Sequence, residues 1–210
     1  SGTTGRGSST KGPMSNADET ALPADLAEQV RRALAEDIGS GDLTAALVPA
    51  GQTAQATVLT REEAVLCGTD WVGEVFRQLD PGIRIDWHAS EGARVPAGAM
   101  LCSLDGPARP LLTGERTALN FLQALSGVAT ITRRYVAAID GTGARILDTR
   151  KTIPGLRLAQ KYAVRIGGGS NHRIGLYDAI LVKENHIVAG GGIARTVGAA
   201  RRLSPGVLLE

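Results

Sequence analysis

The sequence predicts a mixed α/β protein whose second half is built from parallel βα units, as in a barrel or a doubly wound sheet. Three observations carry this. After Gly143, apolar runs of strand length (144–148, 179–182, 207–209) alternate with helical segments (156–166, 193–203). Ahead of them, the stretch 114–139 repeats apolar residues on one broad helical stripe, from Leu119 through Leu122, Leu125 and Val128 to Ile139. Before that stripe, amphipathic helices mix with short alternating strands.

A chain of 210 residues admits one or two domains. With 43% hydrophobic and 21% charged residues it has the composition of a protein with a core. There are 27 glycines against only seven aromatics, too few rings for a single-stranded nucleic-acid stacking platform. The net charge of +2 comes from Arg6 and Lys11, so the remainder from Met14 is formally neutral. That argues against electrostatic nucleic-acid binding. Cys67 and Cys102 are the only cysteines, with no zinc spacing and no disulfide framework, which fits a reducing, cytoplasmic setting. No apolar run has the length of a membrane span, and no signal peptide is recognisable.

Residues 1–13 hold only small, polar, Gly and basic side chains, and read as a vector-derived or disordered leader. Leu26, Val30, Ala33 and Leu34 then predict a helix over 22–34, with Pro23 in its first turn. Glycines and carboxylates at 36–44 break it, and Asp42 or Thr44 serves there as a cap. Alternation at Ala56, Val58 and Leu59, then Ala64 and Leu66, predicts strands. Val72, Val75, Phe76 and Leu79 predict a helix over 71–79. Short strands over 83–104 flank the turn 91–98, whose Gly and Val spacing is similar to that of lipoyl or biotinyl carriers. A carrier needs a lysine at the turn, and there is none between Lys11 and Lys151. Arg116 lies near the start of the long stripe, where a helix N-terminus favours anions. The run 207–209 begins a third strand, and two and a half βα units cannot close a barrel. The chain is therefore expected to be the front part of a longer protein.

The chemistry concentrates between Arg145 and Lys183, with eight Lys/Arg residues against Asp148 and Asp178. Arg157, Lys161 and Arg165 stand at i, i+4 and i+8, which reads as a solvated helix face. The others do not fit that explanation. Arg150 and Lys151 follow one parallel strand and Lys183 follows the next, where α/β proteins bind ligands. Lys183 shares a face with Leu181, so a barrel-facing Leu181 would bury the ammonium against an anion, either a ligand or an internal carboxylate. His172 and Arg173 sit on a loop behind three glycines. Arginine forks and lysine point charges converging at one strand-end face point to a small polyanion bearing carboxylates, phosphates or both. There is no P-loop, and Gly190–Gly192 reads as a helix-entry turn.

Four segments together resemble one family: EDIGSGDLT at 36–44, GERTALNFLQALSGVAT at 114–130, ILDTRKTIPGLRLAQKYAVRIGGGSNHRIGLYD at 146–178 and ILVKENHI at 180–187. Their order is that of quinolinate phosphoribosyltransferases, the carboxylating nicotinate-nucleotide pyrophosphorylases, and the resemblance runs over roughly 22–210. It implies an N-terminal α/β sandwich domain (14–113) followed by the first part of an incomplete (β/α) barrel catalytic domain (114–210). It implies phosphoribosyl transfer from phosphoribosyl pyrophosphate to quinolinate with loss of CO2, a step of de novo NAD synthesis assisted by Mg2+. Arg150, His172, Arg173 and Lys183 match the family's quinolinate-binding positions, and Thr149 and Lys151 flank them with Lys151 facing the phosphoribosyl donor. Lys151 and Lys183 are the catalytic candidates. Arg116 matches a residue that reaches the neighbouring subunit's site, which implies a homodimer or a larger assembly built from it.

The resemblance also sets the metal- and ribose-facing carboxylates beyond Glu210, so no metal ligand is expected within these residues. A molecule ending there is expected not to turn over. Two other readings remain: a non-catalytic or transport-associated relative of the same fold, and a transferase for a mono-acid pyridine. The intact set of Arg150, Lys151, His172, Arg173 and Lys183 argues against the first, and the number of cations argues against the second.

Overall fold

The computed structural model describes residues 21–210. The leader expected at 1–13 lies outside the described residues, as do residues 14–20. Helix α1 spans Leu26–Ile38 and buries Val30 and Leu34. Its start lies later than the sequence predicts, because Pro23 stands ahead of the helix and its carbonyl accepts the Leu26 N–H at 3.1 Å. Asp42 does act as a cap: its Oδ1 accepts the N–H groups of Thr44 and Ala45 at 3.0 and 2.9 Å, opening a short 3-10 turn at Ala45–Leu47.

Strand β1 (Thr53–Leu59) pairs antiparallel with β5 (Met100–Pro107), which pairs antiparallel with β3 (Arg84–Trp87), in the order β1-β5-β3. Strands β2 (Ala64–Val65) and β4 (Arg94–Val95) form a separate short pair. Helix α2 (Thr69–Leu79) turns Val72, Val75 and Phe76 inward, as its spacing predicts. Trp71, Val75, Cys67, Cys102 and Leu125 are among the fully buried side chains of this core.

Helix α3 (Ala108–Ala138) has 31 residues and runs about 46 Å at the usual rise per residue. It starts six residues before the predicted Gly114. Pro110 is tolerated in the first turn, where its missing N–H has no helical partner to lose. Gly114 is not a helix start but a point of close approach: a Cβ there would stand 2.7 Å from Leu79 Cδ1 and 2.8 Å from Phe76 Cε1. The polar residues Ser126 and Thr130 of α3 stand in for a neighbouring strand. Their hydroxyls accept the N–H groups of Cys67 and Val65 at 2.9 and 2.8 Å.

Beyond α3 the βα alternation is present in contracted form. The predicted strand at 144–148 survives as one parallel bridge, Leu147 to Ser170, because only one residue of the facing loop runs alongside it. Helix α4 spans Arg157–Ile166, β6 Ala179–Ile180, α5 Glu184–Ala189, α6 Ile193–Leu203 and β7 Leu208–Leu209. Strands β6 and β7 pair parallel. Among the described residues these elements do not close a barrel. Helix α4 joins the halves, its Tyr162 ring lying 5.3 Å from that of Trp71. No helix of the described residues is long and apolar enough to cross a membrane.

Candidate anion-binding site at the strand ends

The carboxyl ends of the parallel segments lie side by side. Ser170 N–H donates to the Ile146 carbonyl at 2.8 Å and Asp148 N–H to the Ser170 carbonyl at 3.1 Å. Glu210 N–H donates to the Ile180 carbonyl at 2.9 Å, and Val182 N–H returns a bond to the Glu210 carbonyl at 2.8 Å. The loop after α4 connects these groups. His172 Nε2 lies 3.0 Å from both Glu210 carboxylate oxygens, and Arg173 Nη1 reaches the Ala179 carbonyl at 3.5 Å.

Arg150 and Lys151 leave the first strand end, where the Thr149 hydroxyl accepts the Lys151 N–H at 3.0 Å. Arg150 Nε is buried and has no hydrogen-bond partner, an orphaned donor on a cation. Lys151 is exposed and His172 and Arg173 are half-buried. Lys183 is exposed at the N-cap of α5, not buried as strand alternation with Leu181 implied. The reason is that β6 ends at Ile180, so the two-residue period does not reach position 183. Its backbone N–H donates to His186 Nδ1 at 3.0 Å.

Arg116 stands apart. It sits eight residues into α3, about two turns from the helix N-terminus, so it does not gain from that end of the dipole. It lines a cavity of about 330 Å³ with Asp37, Asp42, Leu43 and Thr113. A second, larger cleft, about 1460 Å³, also includes Arg116 and runs between β1 and α3. None of the strand-end cations lines either cavity.

The solvated face expected of Arg157, Lys161 and Arg165 is not solvated. Arg157 bonds Thr152 Oγ1 and the Ile174 carbonyl, both at 3.2 Å. Lys161, only 1% exposed, pairs with Asp148 Oδ1 at 2.5 Å and donates to the His172 carbonyl at 3.1 Å. Arg165 Nη1 donates to Asn171 Oδ1 at 2.8 Å. The whole row faces the loop that carries His172 and Arg173. Sequence reasoning missed it because helical spacing shows that residues share a face, not what the face meets. The single available signal was Asp148, an acid at a strand end inside a cationic stretch.

Asp178 closes the loop from its other side. Burial pushes its carboxyl up, but the N–H groups of Ile174 and Gly175 outweigh burial and hold it below the ordinary value. Among the described residues no cluster of three or more His, Cys, Asp or Glu could hold a metal. Asp148 spends both oxygens on Lys161, Asn171 and the His172 N–H, and Glu210 faces His172. These residues do not fit a magnesium site.

Known families account for this arrangement. Residues 42–126 match the family described as quinolinate phosphoribosyl transferase, N-terminal domain, and 128–209 match its C-terminal domain. The chain belongs to the quinolinate phosphoribosyltransferase family. A probable carboxylating nicotinate-nucleotide pyrophosphorylase of Bacillus subtilis is 45% identical over 80% of this chain and 58% of its own length. The carboxylating nicotinate-nucleotide pyrophosphorylase of Mycobacterium leprae is 46% identical, covering 85% of this chain and 64% of that protein. The solved nicotinate-nucleotide pyrophosphorylase of Francisella tularensis aligns with a TM-score of 0.86 at 51% identity, over 91% of this chain and 68% of that one. This member of the family thus spans about three fifths of the length of the curated relatives it matches.

Proposed function

We propose that the protein transfers phosphoribose from phosphoribosyl pyrophosphate to the ring nitrogen of quinolinate, with decarboxylation to nicotinate mononucleotide. The observation that carries the reading is Arg150 Nε, a buried charged donor without an acceptor, at the strand end to which the loop of His172 and Arg173 is bonded through Asp148, with Lys183 following the next parallel strand. A dicarboxylate supplies what such a set lacks: paired acceptor oxygens for the guanidinium forks and charge for the lysines.

In this reading the cations hold the two carboxylates so that the pyridine nitrogen presents its lone pair to the anomeric carbon. The nitrogen–carbon bond forms as the bond to pyrophosphate breaks. The ring nitrogen, now cationic, accepts charge as the 2-carboxylate leaves as CO2, and the carbon left behind takes a proton from solvent. No protein nucleophile is involved, so orientation and fixed charge supply the catalysis. Lys151, exposed beside the cluster, faces the phosphoribosyl donor, and Lys183 completes the charge around the pyridine. Magnesium is an expected companion of the pyrophosphate. Arg116, remote from the cluster in its own chain, completes the site of a second copy, which makes the assembly a homodimer or a multiple of one. No nucleic-acid or membrane partner is part of the reading, and the protein works in the cytoplasm.

The test is nicotinate mononucleotide formation by the full-length gene product given phosphoribosyl pyrophosphate, Mg2+ and either quinolinate or nicotinate. Product from quinolinate alone is expected. Product from nicotinate would overturn the substrate, and no product from either, in a protein that binds quinolinate, would overturn the reaction.

A further inference from the structure

We propose that Lys161, with Asp148 as its counter-ion, is the positioning residue that sets His172 and Arg173 for the dicarboxylate. This rests on the assignment of quinolinate to the strand-end cluster. The two residues hold the peptide groups on both sides of the His172 Cα. Asp148 Oδ1 accepts the His172 N–H at 2.8 Å, and Lys161 Nζ donates to the His172 carbonyl at 3.1 Å. The second of those peptide groups carries the nitrogen of Arg173. The backbones of His172 and Arg173 are thereby tied to α4 and to the first strand end at once.

The rest of the pair's hydrogen bonding serves the same loop. Asp148 Oδ2 accepts from Asn171 Nδ2 at 2.6 Å, and that amide also donates to the Lys161 carbonyl at 2.9 Å. Lys161 is too deeply buried to touch a substrate, so it acts only through the groups it holds. Stability alone does not explain it. A buried ion pair is often matched or bettered by apolar residues of the same volume, whereas an apolar pair could not grip two peptide groups. The loop itself begins with three glycines and has little stiffness of its own. Something outside it must hold the imidazole and the guanidinium in register with Arg150.

The test compares the wild-type protein with Lys161→Met and with the neutral pair Asp148→Asn/Lys161→Met, reading thermal unfolding, quinolinate binding and the KM of each substrate. Lys161→Met leaves Asp148 charged and buried, so it is expected to lower thermal stability. It is also expected to weaken quinolinate binding about 10- to 100-fold, the range for a lost charged hydrogen bond. The KM for phosphoribosyl pyrophosphate is expected to stay unchanged. The neutral pair is expected to recover stability without recovering quinolinate affinity, because the His172 carbonyl is still unheld. Wild-type affinity in Lys161→Met, an equal rise in both KM values, or recovery of affinity together with stability would each overturn the proposal. Failure of the wild type to bind quinolinate would instead remove the functional reading on which it rests.

Discussion

The indole N–H of Trp71 donates to Gln29 Oε1 at 2.9 Å inside the core, where Trp71 is wholly buried and Gln29 is 6% exposed. Gln29 in turn donates through Nε2 to Asp25 Oδ1 at 2.9 Å, so one amide ties α2 to the start of α1. A buried indole N–H without its acceptor keeps its full desolvation cost. Gln29→Leu is therefore expected to destabilise by about 1–3 kcal/mol, seen as a lower midpoint in urea with an unchanged slope. An unchanged midpoint would mean that the indole finds another acceptor.

Gly167 ends α4 where it crosses α3. A Cβ there would meet the Ala129 carbonyl oxygen and Thr132 Cβ, each at 2.6 Å. One neighbour is backbone, so nothing flexible can yield, and α4 would have to move away from α3. Gly167→Ala is expected to cost about 1–3 kcal/mol by overpacking. It is also expected to weaken quinolinate binding, because α4 carries Lys161. Circular dichroism melting with calorimetric titration separates the two effects.

Both cysteines are buried and free. Burial pushes the Cys102 thiol up to about 11, and it pushes Cys67 up as well, with the Glu91 carboxylate adding to the effect. The thiolate is the reactive form. Neither cysteine is expected to react with an aromatic disulfide reagent at neutral pH in the folded protein, and both are expected to react in denaturant. Fast labelling of the native protein would show that the core opens around them.

Asp42 ties the 3-10 turn to α3. The N–H of Ala45, the Thr113 hydroxyl and the N–H of Thr44 hold its carboxyl below the ordinary value of 3.8. A folded value below the unfolded one contributes stability above the unfolded value, and that stability is lost as pH falls through the folded one. The stability difference between wild type and Asp42→Ala is expected to be constant near neutrality and to shrink below pH 3.8. Thermal melts across pH 2.5–7 give the profile. A difference that grows in acid would contradict the sign.

Arg150 holds a buried donor without an acceptor. Arg150→Ala is expected to weaken quinolinate by about 1–3 kcal/mol, roughly 5- to 150-fold, as are Arg173→Ala and Lys183→Ala. Since Arg150 Nε has no partner to lose and its desolvation cost is relieved, the Arg150 change is expected not to lower the unfolding midpoint of the free protein. Unchanged affinity for any one variant would remove that residue from the site.

The strand-end cations were legible because parallel βα units place their ligands at the carboxyl ends of strands. Arg150, Lys151 and Lys183 could be assigned there from the alternation of strand and helix alone. Helices α2 and α6 were likewise readable, since their apolar spacing is local and matches the helical period. By itself the sequence determined the fold class, the alternation of its longer elements and the identity of the cations, but not the short helix α5 or the reduction of the strand at 144–148 to one bridge. The tertiary structure decided where α3 begins, because Gly114 reads as a break until Phe76 and Leu79 are seen packed against it. It also decided that Arg157, Lys161 and Arg165 face a loop and not water. Periodicity records which residues share a side of a helix. What that side meets depends on chain segments such as Asp148 and His172, more than ten residues away from Lys161, and only packing brings them together.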